Sequence, residues 1–421
     1  MDRMAIPPFS KLSAIFDQIS AVGADVGRGV TRLAASPEDE RARSIFESWM
    51  SKGGARVAQD QIGNQFACFD WAGAKAPWIF SGSHLDTQQC GGRFDGTLGV
   101  LAAGCVGLEL NIEVNAGSLA PTHNFAVVNW TNEEGARFRP SLTGSSVYAG
   151  TLPLSQAFGL RDDVGVTLQA ALAATGIGGA KGRVPQRPEA FVELHVEQGR
   201  QLLDINRRIG VVESTWAAHK ITGRWTGRAA HTGPTAMKER CDALLAAAKG
   251  IAAFESLITS TNPNLHHSAA RIVVHPNSPN VVPETATVWF EIRGTDVVEL
   301  ESLRDAAICV FDEIAKITNT RFETVSSSTR RPAYLDKRLA KMVAEASRSR
   351  NLVPTTLRSV AGHDSVALQN SGIPSALIFV PSADGIAHHP DEFTKLEDMR
   401  AGLAVLSTTI RRLVVGGIDG T

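Results

Sequence analysis

Cysteine is scarce in this 421-residue chain: five residues, at 68, 90, 105, 241 and 309, odd in number, far apart and never arranged as Cys-x-x-Cys. That argues against a disulfide framework or a thiolate zinc site and for buried thiols in a reducing, cytoplasmic setting. Excess charge is missing too. With 42 basic and 43 acidic residues the formal charge is -1, which gives no electrostatic reason to expect nucleic acid or an anionic membrane as partner. The most apolar stretches, Val100–Leu110 and Ala243–Phe254, are interrupted by Gly, Glu or Lys. They fall short of the ~20 apolar residues that span a bilayer. The start, Met1-Asp2-Arg3-Met4, leads into an amphipathic stretch, so no signal peptide is expected. Three catalytic signatures are also lacking: His-Glu-x-x-His, the Gly-x-Ser-x-Gly elbow and Gly-x-x-x-x-Gly-Lys-Ser/Thr. Ser83 and Ser365 neighbour histidines or acids but lie in no elbow, which counts against a serine hydrolase. The chain has no internal repeat and no low-complexity tract.

What is present suffices for two domains and a sizeable core. Ser36-Pro37 followed by Glu38-Asp39-Glu40 is a helix start, with a capping hydroxyl, proline in the first turn and acids on the dipole. The helix should stop at Gly53-Gly54. Short apolar runs then recur, each ending in polar residues: Trp78–Phe80 before Ser81-Gly82-Ser83-His84, Phe125–Val128 before Asn129–Glu134, and Phe191–His195. Helical patterns such as Leu98–Leu110 alternate with them, and the spacing of Met399, Leu403, Leu406, Ile410 and Leu413 predicts a last helix. Strand–helix alternation predicts an α/β domain with a mainly parallel sheet, whose ligands bind beyond the carboxyl ends of the strands. Residues 214–329 read differently. Thr287–Arg293 alternates strictly, Ala269–His275 is a second strand, and amphipathic helices near 238–257 and 297–314 accompany them. This predicts an inserted α+β domain with an antiparallel sheet over 214–329, interrupting a domain made of 1–213 and 330–421.

The polar strand ends carry the chemistry. His84 and Asp86 end one strand, and Asp95 follows in Gly91-Gly92-Arg93-Phe94-Asp95-Gly96. A histidine and a carboxylate on one strand–loop unit suit zinc or manganese. Glu133-Glu134 ends the next strand, where one carboxylate can bind metal while its neighbour takes a proton from an activated water. His195, in Glu193-Leu194-His195-Val196-Glu197-Gln198-Gly199, is the third cluster. Gly385-Ile386-Ala387-His388-His389-Pro390 is the fourth, with one histidine of the pair as ligand. Each alone reads as a solvated turn or a structural histidine; four at successive strand ends read as a metal site.

The order of these motifs resembles the hydantoinase/carbamoylase branch of the di-metal aminoacylase and carboxypeptidase superfamily. That branch includes N-carbamoyl-L-amino-acid hydrolases, β-ureidopropionases and allantoate amidohydrolases. The likeness continues through Ala230-His231-Thr232-Gly233-Pro234-Thr235, Pro279-Asn280-Val281-Val282-Pro283 and Ala361-Gly362-His363-Asp364-Ser365. It implies a di-metal peptidase-like catalytic domain interrupted by a lid and dimerisation domain, and hence a homodimer. By resemblance, His84, Asp95 and His195 hold one divalent ion, and Asp95, Glu134 and His388 the other (Zn, Mn, Co or Ni), with Asp95 bridging. Glu133 is the general base, and His231 stabilises the oxyanion from the neighbouring subunit. Gln198, Asn280 and Arg293 grip a small carboxylate-bearing amide, Arg293 through its planar fork. The implied reaction is hydrolysis of a linear amide C–N bond, of an N-carbamoyl amino acid or similar carboxylate. The alternatives are an N-acyl-amino-acid amidohydrolase or dipeptidase on the same scaffold and, with least support, a non-catalytic dimeric binding protein. Ala387, His389, Ser365 and the run Gly233–Met237 depart from the family pattern and leave the substrate open.

Overall fold

Ser36 opens the first long helix as its composition demands. Its hydroxyl accepts the Asp39 N–H at 3.2 Å, the helix runs Pro37–Lys52, and Gly53 ends it. In this computed structural model residues 9–25 and 27–419 are described. The Met1-Asp2-Arg3-Met4 segment, on which the expectation of no signal peptide rests, lies outside them. Two compact units are present, Met1–Ser214 with Ala333–Thr421 and Thr215–Pro332.

In chain order the first unit contributes β1 (Arg56–Gln59), β2 (Gln65–Phe69), β3 (Trp78–His84), β4 (Asn124–Trp130), β5 (Ala190–Val196) and β6 (Ile209–Thr215). The second adds β7 (Ala217–Thr226), β8 (Ala230–His231), β9 (His266–His275), β10 (Val281–Val282), β11 (Thr285–Gly294) and β12 (Arg321–Arg330). The chain returns as β13 (Pro354–Ser359) and β14 (Ser375–Val380).

The first unit's sheet has the order β1-β2-β4-β3-β5-β14-β6-β13. Its centre, β4-β3-β5-β14, is parallel. The four strands therefore end on one edge, and the polar clusters that follow them are delivered to one place. The sheet is more mixed than the alternation of strands and helices predicts, because β1, β2 and β6 run antiparallel to their neighbours. The cause is local for the first pair: β1 and β2 are joined by the turn at 60–64, where Asp60 accepts the Asn64 N–H at 2.9 Å, and so short a connection reverses the chain. Helices Thr97–Asn115 and Leu396–Gly416 bury Leu98, Leu101, Val106, Leu403, Leu406 and Ile410 in this unit's core. Burial of each such side chain is worth about 1.5–3 kcal/mol. Gly82 lets β3 and β4 approach: a Cβ there would lie 1.9 Å from the Val128 carbonyl oxygen.

The second unit is built on the antiparallel sheet β12-β7-β11-β9. Val288, Phe290 and Ile292 of β11 are buried on one face with Trp225, Phe254 and Phe311, under helices Ala243–Thr261 and Val297–Ile317. The intervening residues of β11 are half-buried on the other face. The first of these helices starts at Ala243 rather than near 238, because Asp242 caps it by accepting the Leu245 N–H at 3.0 Å. Thr97–Asn115 and Ala243–Thr261, at 19 residues each, are by length and composition apolar enough to cross a bilayer, which the shorter runs read from sequence did not reach. Each has apolar residues in its own unit's core, and 67% of the Thr97–Asn115 window is buried.

Candidate metal centre

Four parallel strand ends and their loops bring together imidazoles and carboxylates. Asp95 lies at the middle. Its Oδ1 is 3.0 Å from His195 Nε2 and 3.5 Å from His84 Nε2, while its Oδ2 is 3.3 Å from His388 Nε2. The same His388 nitrogen is 3.3 Å from Glu134 Oε2. Glu133, next to Glu134, turns its Oε2 to within 3.4 Å of His84 Nε2. Three groups of potential ligands result among the described residues: His84-Asp95-His195 and Asp95-Glu134-His388, which share Asp95, and Glu193-His195-His363, which shares His195 with the first.

The loop geometry explains why these side chains meet. Gly96 has φ +63°, and a Cβ there would fall 2.4 Å from the His84 ring, so only glycine lets the Asp95 loop fold against that imidazole. His84 Nδ1 faces the Asp86 carbonyl at 2.9 Å and His195 Nδ1 the Val196 carbonyl at 2.8 Å. Both rings therefore turn Nε2 inward, as a backbone acceptor on the far nitrogen does for a metal-ligating histidine. Asp86 accepts the backbone N–H groups of Glu133 and Glu134 at 3.2 and 3.3 Å, which fixes the acidic pair beside His84. Gln198 donates to Asp95 Oδ2 at 2.5 Å and Gln88 to Glu134 Oε2 at 2.8 Å.

The electrostatics fit a cation. Burial presses the His84 imidazolium down, but Glu133, Asp95 and Asp86 outweigh it and hold its pKa well above the ordinary value. His195 is raised against burial in the same way, chiefly by Asp95. Burial pushes Glu133 well up, joined by the charges of Asp364, Glu134 and Asp95 and opposed by His84. Burial and then Asp95 raise Glu134. His84 Nε2 is buried and has no hydrogen-bond partner. An orphaned imidazole nitrogen aimed at two carboxylates, in two mixed nitrogen–oxygen donor sets, fits a divalent transition ion.

His388 and His389 are separated by a bend and not by extended chain: His388 has φ +55°. His388 faces Asp95 and Glu134, whereas His389 accepts the Asp391 N–H at 3.1 Å, and both are exposed. Among the second unit's candidates, β8 pairs with β10 so that His231 lies opposite Val281, and the Thr232 N–H reaches the Asn280 carbonyl at 3.2 Å. His231 is exposed and its Nδ1 accepts the Gly233 N–H at 3.0 Å. Arg293 is half-buried on β11, an inner strand, and donates to Glu291 at 2.9 Å.

Two contributors escape a reading of the sequence. Buried Glu392 accepts the backbone N–H groups of Phe94 and Asp95 at 2.9 and 3.0 Å, tying the Asp95 loop to the segment that carries His388. The only signal is an acid four residues beyond His388. Fully buried Arg32 donates to the Leu85 carbonyl at 2.6 Å and to Thr97 Oγ1 at 3.1 Å, bracing the turn after β3 from a segment with no motif.

A mixed sheet whose parallel strand ends deliver two imidazole–carboxylate groups sharing one aspartate defines a candidate two-metal centre. The sequence matches the family described as Peptidase family M20/M25/M40 over residues 80–412, and the chain belongs to that family. It is 33% identical to an N-carbamoyl-L-amino acid amidohydrolase of Geobacillus stearothermophilus, over 95% of this chain and 97% of that protein. An allantoate amidohydrolase of Bacillus subtilis is 28% identical over 98% of this chain and all (100%) of its own length. The crystal structure of an amidase of the hydantoinase/carbamoylase family from Burkholderia vietnamiensis superposes with a TM-score of 0.91 at 31% identity, covering 99% of this chain and 100% of that one.

Proposed function

We propose that the protein is a metal-dependent amidohydrolase that cleaves a linear amide C–N bond, that of an N-carbamoyl amino acid or a similar small carboxylate. One observation carries the reading: two of the ligand groups share Asp95, and a carboxylate that belongs to neither, Glu133, stands 3.4 Å from His84 Nε2. The relatives reported above, by name amidohydrolases of N-carbamoyl-L-amino acids and of allantoate, support the choice of bond. His84, Asp95 and His195 would hold one divalent ion and Asp95, Glu134 and His388 the other, with zinc, manganese, cobalt or nickel as candidates. Such ions polarise a carbonyl oxygen and lower the pKa of bound water.

The chain's own groups do the rest. Glu133 takes a proton from the attacking water, whose oxygen joins the carbonyl carbon. As the C–N bond breaks, Glu133 hands that proton to the leaving nitrogen. Carbamoyl cleavage gives the amino acid, ammonia and carbon dioxide. Gln198, Asn280 and Arg293 hold the substrate, and Arg293 suits its carboxylate. His231 stabilises the developing oxyanion from the neighbouring subunit of a homodimer joined through the second unit, which acts as lid. We place the enzyme in the cytoplasm.

The test is a hydrolysis panel of carbamoyl, formyl, acetyl and aminoacyl amino acids after exhaustive chelation, with manganese, zinc or cobalt added back. We expect no turnover without metal and preference for carbamoyl substrates with it. Full turnover by verified metal-free protein would sink the mechanism. Preference for acetyl or aminoacyl substrates would favour the acylase or dipeptidase reading.

A further inference from the structure

We propose that the side-chain carbonyl of Gln88, together with that of Gln198, reads the terminal NH2 of a carbamoyl group, so that Gln88 sets a preference for carbamoyl over acyl substrates. This deepens, and rests on, the amidohydrolase reading above, and it concerns the first unit alone.

Two carboxamides border the Asp95-Glu134-His388 group. The oxygens that face His388 Nε2 are Asp95 Oδ2 and Glu134 Oε2, each at 3.3 Å. Gln198 donates to the first at 2.5 Å and Gln88 to the second at 2.8 Å. Gln88 Nε2 also lies 3.4 Å from the Glu134 backbone carbonyl oxygen. A carbonyl oxygen can only accept, which fixes the orientation of the Gln88 amide: a flipped amide would set its oxygen against two oxygens. Its Oε1 therefore lies on the side away from Glu134, and among the described residues none donates to it. Gln198 Oε1 is buried and likewise has no hydrogen-bond partner. Two carbonyl oxygens are left to accept beside one ligand group. Each is within about 5 Å of the carboxylate oxygen that its own amide binds.

The backbone beneath Gln88 is held. The Gly91 N–H closes a turn on the Gln88 carbonyl at 3.3 Å, and Gly91 and Val30 exchange both backbone hydrogen bonds, at 2.9 and 3.0 Å. Thr87 donates its N–H to the Arg32 carbonyl at 2.9 Å and accepts the Arg32 N–H on Oγ1 at 2.9 Å. A Cβ on Gly91 would stand 3.2 Å from the Gln88 Cβ, so the turn packs tightly against the glutamine. Gln88 is half-buried, anchored at its backbone and at its amide nitrogen, with one acceptor to spare.

The chemistry selects an NH2. In a planar carbamoyl group the terminal nitrogen lies about 2.2 Å from the carbonyl oxygen. A carbamoyl oxygen drawn to the ligand groups thus carries its NH2 into the range of these acceptors. An amide NH2 offers two donors, which matches two carbonyl oxygens. An acetyl group has nearly the same shape, but its methyl leaves both oxygens without a donor. Unmet acceptors are what let a polar site reject an analogue that lacks the donor.

The test compares kcat/KM of the metal-loaded protein on N-carbamoylglycine and N-acetylglycine. Wild type should favour the carbamoyl compound, and Gln88→Met should narrow the ratio ~5- to 10-fold. Gln88→Lys keeps a donor for Glu134 but has no acceptor, so it should hold both metal equivalents and show the same narrowing. Metal content per subunit is measured for every variant. A ratio unchanged in both variants overturns the proposal and leaves the amidohydrolase reading in place. So does a ratio that changes only where metal is lost, because Gln88 then acts by holding Glu134 and nothing more. If wild type hydrolyses neither compound, calorimetric binding of the same two compounds replaces kcat/KM. A carbamoyl preference that depends on Gln88 then keeps the NH2 site while the amidohydrolase reading falls; binding indifferent to Gln88 overturns both.

Discussion

Glu133 and Glu134 are neighbours in sequence with different surroundings. Glu134 shares His388 with Asp95, whereas Glu133 reaches only His84 among the ligand imidazoles. Glu133→Gln keeps the shape but cannot accept a proton, so metal should stay bound while turnover falls ~10²-fold or more. If Glu133→Gln lost metal and Glu134→Gln kept it, the two roles would be exchanged. For the histidine pair, His388→Ala should lose one of two metal equivalents and nearly all turnover, while His389→Ala keeps both. Metal content per subunit decides, and a deficit confined to His389→Ala would reverse the assignment. At this scale much was legible, because His84, Glu134 and His195 each end or follow an apolar run that reads as a strand, and Asp95 stands in the glycine loop after the first of these. Glu392 was not legible, since an acid in an exposed-looking loop has no periodicity to mark it. The bend at His388 was hidden too, because φ of a non-glycine residue leaves no trace in composition.

At the scale of elements, β3 and β4 set the site's position, because their parallel pairing places His84 opposite Trp130, just ahead of the acidic pair. Gly82 makes that pairing close. Gly82→Ala would press a methyl onto backbone, the Val128 carbonyl, which no rotamer change relieves. We expect a loss of about 1–3 kcal/mol in urea unfolding, with metal binding weakened alongside. An unchanged midpoint would show that the strands can separate without cost. Of the central strands, β3, β4 and β5 were readable as apolar runs and β14 was not read, while the helices were readable from their spacing. The antiparallel additions were not, because strands as short as Arg56–Gln59 hold too few residues to show a pattern and nothing in a strand's composition tells its direction.

At the scale of the molecule, the assignment of His231 to the partner's site makes a prediction that no single-chain variant can test. Subunits carrying His231→Ala, mixed with subunits carrying Glu133→Gln, should regain activity in heterodimers, since one of the two sites then has both groups. Heterodimers that form and stay inactive would place His231 in its own chain or in a structural role. The alternating pattern of β11 marked the second unit in the sequence, because one polar and one apolar face is a long-range fact written in short-range order.

The place of β14 bears on how the chain is made. This strand is the last in chain order among the described residues, yet it lies between β5 and β6, with Ser375 opposite Phe191 and Ile378 opposite Val211. A nascent chain that has not reached Ser375 therefore has two strands with a vacant slot between them. Such long-range pairing closes late and slowly. During synthesis the second unit, all of whose strands lie between Ala217 and Arg330, can fold while the first still waits for its central strand. His388 emerges later again, so the ligand set is completed only after β14 has been made, and a chain truncated before Ser375 has an open sheet edge exposed to aggregation.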